Sequence, residues 1–182
     1  MGQTLYKKVG IASLIMMTSV LLSNCIGLIR EMVIAYIGGA GSAIDTYQIS
    51  FLIPEILNHI VASGFLSVTF IPIFSHYMVN DEESQGWRVF SIILTCFGSI
   101  LIALILISSV FASEIIAVFA PGLSDPILKA RVTKMTRIVL PAQFFFFASG
   151  LFMAVQFAKE RFSIPALAPI LYNLGIISGG VL

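Results

Sequence analysis

An all-α, polytopic bundle of transmembrane helices is the fold class this sequence predicts, and three observations predict it. Of the 182 residues, 58% are hydrophobic and only 10% charged, with a mean hydropathy of +1.02. A soluble domain carries about 25% charged residues. The apolar runs are far longer than the roughly 9–11 residues of a membrane-barrel strand. Helices, which satisfy their own backbone, are then the way across lipid. Finally, the runs are separated by glycine, proline or polar clusters: "GGAGS", "VNDEESQG", "APGLSDP" and "AKERFS". A net charge of +1 offers no basic field for nucleic acid.

These breaks give five helical segments. The first covers residues 9–37 and ends at the glycine cluster, where backbone with φ > 0 costs little. Lys7 and Lys8 precede it, as in a signal peptide, but Val9 to Ile29 outruns the roughly 7–15 residues of a cleavable apolar region. It reads as a retained span. Tyr6 stands where a myristoylation signal requires Ser or Thr. The second segment covers 43–78, and Pro54, Gly64 and Pro72 should bend or break it. Residues 79–86 form a solvated loop. The third segment, 87–119, has the uninterrupted centre "IILTCFGSILIALILISSVF".

The fourth segment, 129–157, opens with Lys129, Arg131, Lys134 and Arg137, which suit the headgroup level. Ser163 is placed to cap the fifth, 164–182, with Pro165 in its first turn. Pro169 sits inside that helix and frees a backbone carbonyl, with Asn173 one turn further on. The chain stops in mid-pattern at "GIISGGVL", so it is expected to be the N-terminal piece of a longer protein. Cys25 and Cys96 lie in apolar runs and should pack as small hydrophobes instead of forming a disulfide. Lys7 and Lys8 favour a cytoplasmic N-terminus.

Ionisable residues inside a span each cost roughly 2.5–3.5 kcal/mol on insertion scales, so they need a partner or water. At about 100° per residue, Asn24, Gly27, Arg30 and Glu31 share an arc of roughly 120° on the first helix. Arg30 and Glu31 are adjacent and do not face each other squarely, so each should find a partner on another helix. On the second segment Asp45, Gln48, Glu55, His59 and Ser63 fall within about 80°. Arg30 and Glu31 either sit at the outer headgroup level near the glycine turn or wall a water-filled cavity, and the second stripe either glues helices together or faces that cavity. The occurrence of such wedges on consecutive helices favours a shared cavity. No phosphate-cradling glycine loop, metal-ligand spacing or nucleophile elbow is present. The sequence shows no enzyme constellation, and no cofactor or metal is expected.

In order along the chain, "SNCIGLIREMVIAYIGGAGSAIDTYQISFLIPEIL", "ASGFLSVTFIPIFSHY", "APG" and "RFSIPALAPILYN" resemble the MurJ/MviN family of lipid II flippases. The resemblance implies two pseudo-symmetric helical lobes around a central groove, of which this chain would supply the first five helices. It implies alternating access that moves an undecaprenyl-diphosphate-linked peptidoglycan precursor, lipid II, from the cytoplasmic to the periplasmic leaflet of a bacterial inner membrane. The phospholipid bilayer and the cell-wall synthesis machinery are the implied partners. Arg30 matches the arginine of the first-helix motif, Glu31 its acidic neighbour, and Asp45 the aspartate after the glycine turn. Asn24 stands where better-known members carry a second arginine, Asn58 and His59 where they carry an arginine pair, and Ser63 where they carry a glutamate. These seven residues are the expected groove contacts. The reduced charge leaves two alternatives: a flippase for another polyprenyl-diphosphate glycan of capsule or O-antigen type, and a non-transporting membrane scaffold.

Overall fold

The computed structural model describes residues 2–39, 41–62, 69–123 and 125–181. Among them all regular structure is helical: α1 (Gly2–Gly38), α2 (Ser42–Ser50), α3 (Leu52–Ala62), α4 (Ile71–Val79), α5 (Glu83–Val110), α6 (Ala112–Phe119), α7 (Pro126–Val139), α8 (Ala142–Ala158) and α9 (Ser163–Val181). Among the described residues three stretches are long and apolar enough to cross a membrane: Ser13–Gly38, Glu83–Val110, and the α7–α8 run Pro126–Ala158. The chain is a membrane protein.

It divides into two compact units. The first comprises Met1–Ala40 with Lys159–Leu182, and the second Gly41–Ala158. In the first unit α1 packs along α9. Gly39, at φ 65°, ends α1, and its N–H closes onto the Ala35 carbonyl at 3.0 Å. Ser163 is already helical, and the Ala166 N–H donates to the Phe162 carbonyl at 3.0 Å. Phe162, not Ser163, therefore holds the capping position. α9 runs unbroken through Pro169.

Among its described residues the second unit has two apolar clusters. Ile53, Leu57, Leu101, Ile116, Leu140 and Phe147 form one. Phe70, Phe74, Phe90, Leu151 and Val155 form the other, with ring contacts such as Phe70–Phe74 at 5.4 Å and Phe74–Trp87 at 5.8 Å. Helix α5 starts at Glu83, so the polar loop is shorter than its sequence suggests. Gly86, buried in the first turns of α5, lies close against α4: a Cβ there would lie 3.0 Å from Met78 Cε and 3.4 Å from a Phe74 ring carbon. Asp125 caps α7 by accepting the Ile127 N–H at 2.8 Å, and Pro126 occupies the first turn, a standard start signal.

Three expected single helices are divided. The second segment breaks at Phe51, between α2 and α3. Pro54 has no N–H, so the carbonyl four residues back, on Ser50, lacks its usual helical donor. Thr136 Oγ1 donates to that carbonyl at 3.1 Å. The third segment breaks at Phe111, between α5 and α6. There Arg137 donates through Nε to the Ser109 carbonyl at 2.8 Å and through Nη2 to the Val110 carbonyl at 3.4 Å. The fourth begins earlier than expected, at Pro126, and turns at Leu140 and Pro141. The last turn of α7 thus supplies donors to the ends of α2 and α5. Gly64 lies outside the described residues. Cys25 and Cys96 are free thiols, as expected, but both are exposed on helix surfaces instead of packed inside.

Candidate functional site

The α1–α9 seam is built from small residues four apart. Ser19, Ser23 and Gly27 recur on one face of α1, and the first two are buried. Small residues at this spacing let membrane helices approach closely. Ser19 Oγ donates to the Ala166 carbonyl, next to the Pro165 carbonyl that Pro169 deprives of its helical donor. A Cβ on Gly27 would lie 3.7 Å from Asn173 Nδ2, so Asn173 sits directly over that glycine. Asn173 is buried, and its Nδ2 donates to both the carbonyl and the hydroxyl of Ser23, each at 3.2 Å.

The remaining acceptor of Asn173 faces Arg30, whose Nη1 donates to Oδ1 at 3.0 Å. Arg30 Nη2 meets Glu31 Oε1 at 2.5 Å. The expected partner for Arg30 on another helix is therefore Asn173. Glu31 pairs with its chain neighbour despite their adjacency, because both side chains are long enough to bend toward each other outside the helix. The side chains are 24% and 61% exposed respectively. Arg30 Nε is buried and without an acceptor among the described residues. This leaves the guanidinium fixed at one end, charge-paired at another, and with unused donor capacity.

The expected wedge on α1 is thus split. Gly27 and Arg30 turn to α9, while Asn24 and Glu31 are exposed. In the second unit, Asp45 on α2 and Asn58 and His59 on α3 are exposed, together with Gln48 and Glu55. The opposite face, with Thr46, Ser50, Ile53 and Leu57, is buried. The polar seam inside this unit runs through Ser50, which donates to the Thr46 carbonyl at 2.6 Å, and through Thr136. The outward stripe takes no part in it. Ser63 lies outside the described residues. Sequence reasoning missed Asn173 as the anchor of Arg30, although the Ser19, Ser23, Gly27 spacing marks the face of α1 where such an anchor should dock.

The sequence model of the lipid II flippase MurJ family matches residues 34–182. This chain belongs to that family. It is 34% identical over 158 residues to a probable lipid II flippase MurJ of Buchnera aphidicola, covering 86% of this chain and 31% of the relative. It is 31% identical over 162 residues to the lipid II flippase MurJ of Burkholderia cenocepacia, covering 88% and 31%. A probable lipid II flippase MurJ of Thermotoga maritima is 30% identical over 157 residues, covering 86% and 32%. The chain spans about a third of the length of these curated relatives. The family match begins C-terminal to Arg30 and Glu31, so their roles rest on the chemistry of α1.

Proposed function

We propose that this chain forms the N-terminal lobe of a lipid II flippase in the bacterial inner membrane, with its N-terminus in the cytoplasm, working alongside the cell-wall synthesis machinery. The family membership supports the substrate class. The observation that carries the mechanism is Arg30: a permanent cation on an apolar helix, anchored through one nitrogen and with unused donors. A guanidinium is a planar, always-charged donor suited to phosphate oxygens. In this reading Arg30 contacts the substrate diphosphate, and Glu31 is displaced as the diphosphate arrives. That exchange of partners gives the protein two states that the substrate can bias. Asp45 tunes the local charge. Asn24, Asn58, His59 and Ser63 hydrogen-bond the sugar and peptide of the headgroup.

The test is a cell whose only copy of the full-length flippase carries Arg30→Ala at normal level. It should accumulate precursor on the cytoplasmic side and lyse. Normal growth would overturn the role of Arg30. Removing the paired carboxylate with Glu31→Gln should strengthen precursor binding to detergent-purified protein while slowing release.

A further inference from the structure

Of the charged residues on one helix, only Arg137 has been given a structural role. Helix α7 carries Lys129, Arg131, Lys134 and Arg137 and no acidic residue. None of the four is ion-paired among the described residues. Arg137 is occupied with the end of α5, but Lys129, Arg131 and Lys134 stay available on half-buried or exposed positions. They frame two adjoining concavities. One, of about 560 Å³, is lined by Ser113, Lys129, Thr133, Lys134 and Ile138 among others. The other, of about 420 Å³, is lined by Pro126, Ile127, Ala130, Arg131 and Lys134. Lys134 stands between them, and Pro126 and Ala130 give both an apolar lining.

The surroundings decide the ligand class. The basic turns form one end of the Pro126–Ala158 run, which is long and apolar enough to span a membrane. Ile127, Ile138 and Phe145 are all more than half exposed along it. An occupant must therefore combine an anionic head with apolar tails. A free phosphate would use the cations and gain nothing from Ile127 or Ile138. We propose that the concavities on either side of Lys134 hold the phosphate headgroup of an anionic phospholipid, with Lys129, Arg131 and Lys134 as its donors and Ile127 and Ile138, which line them, along its acyl chains.

Native mass spectrometry of the full chain, purified in detergent, tests this with phosphatidylglycerol and phosphatidylcholine of identical chains. Phosphatidylglycerol should be retained preferentially. Each cation removed by Lys129→Gln or Lys134→Gln should weaken that retention roughly five-fold, the scale of one basic residue at a membrane surface. Lys134→Arg should preserve it. Equal retention of the two lipids, or an unchanged Lys129→Gln/Lys134→Gln double variant, would overturn the proposal. If that double variant does not fold, Arg131→Gln is read by the same criterion. Millimolar inorganic phosphate should not displace the lipid. Full displacement would mean that phosphate alone is recognised and would overturn the lipid assignment.

Discussion

The two units solve the same problem, holding apolar helices together, by opposite means. In the first unit only 6% of the most apolar window of α1 is buried, against 28% for α5 and 33% for the α7–α8 run in the second. Leu14, Met17, Leu28 and Tyr36 all stand exposed on α1. The α1–α9 seam instead relies on Ser19, Ser23 and Asn173, with Arg30 joined to it. The second unit interdigitates fully buried rings and branched chains, such as Phe70, Phe74, Leu101 and Leu151. Lipid tails are as apolar as leucine, so packing quality and interhelical hydrogen bonds, not burial from water, hold both units. A seam of few polar contacts is easily re-made, whereas a packed ring cluster resists repacking. The residue assigned to the substrate sits on the former.

Breaking the ring cluster should have the largest effect. Phe74→Ala removes a fully buried ring that contacts Phe70 and Trp87, and should cost about 3–5 kcal/mol in reversible unfolding from detergent. Asn173→Leu removes three hydrogen bonds from the first unit. At about 0.6 kcal/mol for each interhelical bond in lipid, it should cost about 2 kcal/mol. It should also loosen Arg30 enough to weaken precursor binding, a loss that Phe74→Ala does not cause at temperatures where it is folded. The glycines sharpen the contrast. Gly86→Ala places a Cβ 3.0 Å from Met78 Cε, which can turn aside, and 3.4 Å from a ring carbon of the fully buried Phe74, which must shift, and should destabilise by about 1 kcal/mol. Gly27→Ala meets only ordinary contact with Asn173, at 3.7 Å, and should change stability by less than about 0.5 kcal/mol. Equal effects at the two glycines would refute the distinction between a packed and a sparsely tied unit.

Much of this was legible before the structure. The membrane-helix class followed from composition, and the turn at Gly39 from its neighbours. Helical angle alone put Asp45, Gln48, Glu55 and His59 on one stripe, and these four are exposed together, whereas Asn58 was named only through the family resemblance. The helix breaks were harder. Pro54 foretold one, but its effect appears at Ser50 and Phe51, because the lost hydrogen bond belongs to the residue four positions earlier. The break at Phe111 has no proline, and its carbonyls are satisfied by Arg137, a residue that reads in sequence as one more headgroup cation. Asn173 was visible only as a neighbour of Pro169. Its role depends on which residue of α1 lies opposite, and helical periodicity within one segment cannot give that register between two segments.

The contact between Thr136 and Ser50 also bears on how the chain is built. A carbonyl without a donor costs several kcal/mol in hydrocarbon, and the donor for Ser50 lies 86 residues later. We predict that residues 42–62 settle fully in lipid only once α7 supplies that donor, the Ser50 carbonyl being held by water until then. With Cys25 and Cys96 replaced by Ser, a nascent chain halted before residue 126 and carrying Ser50→Cys should label with water-soluble maleimide, and the full chain should be protected. Equal protection in both would show that α2 and α3 are settled without Thr136. The order of synthesis, not only the final packing, is thus written into one hydroxyl.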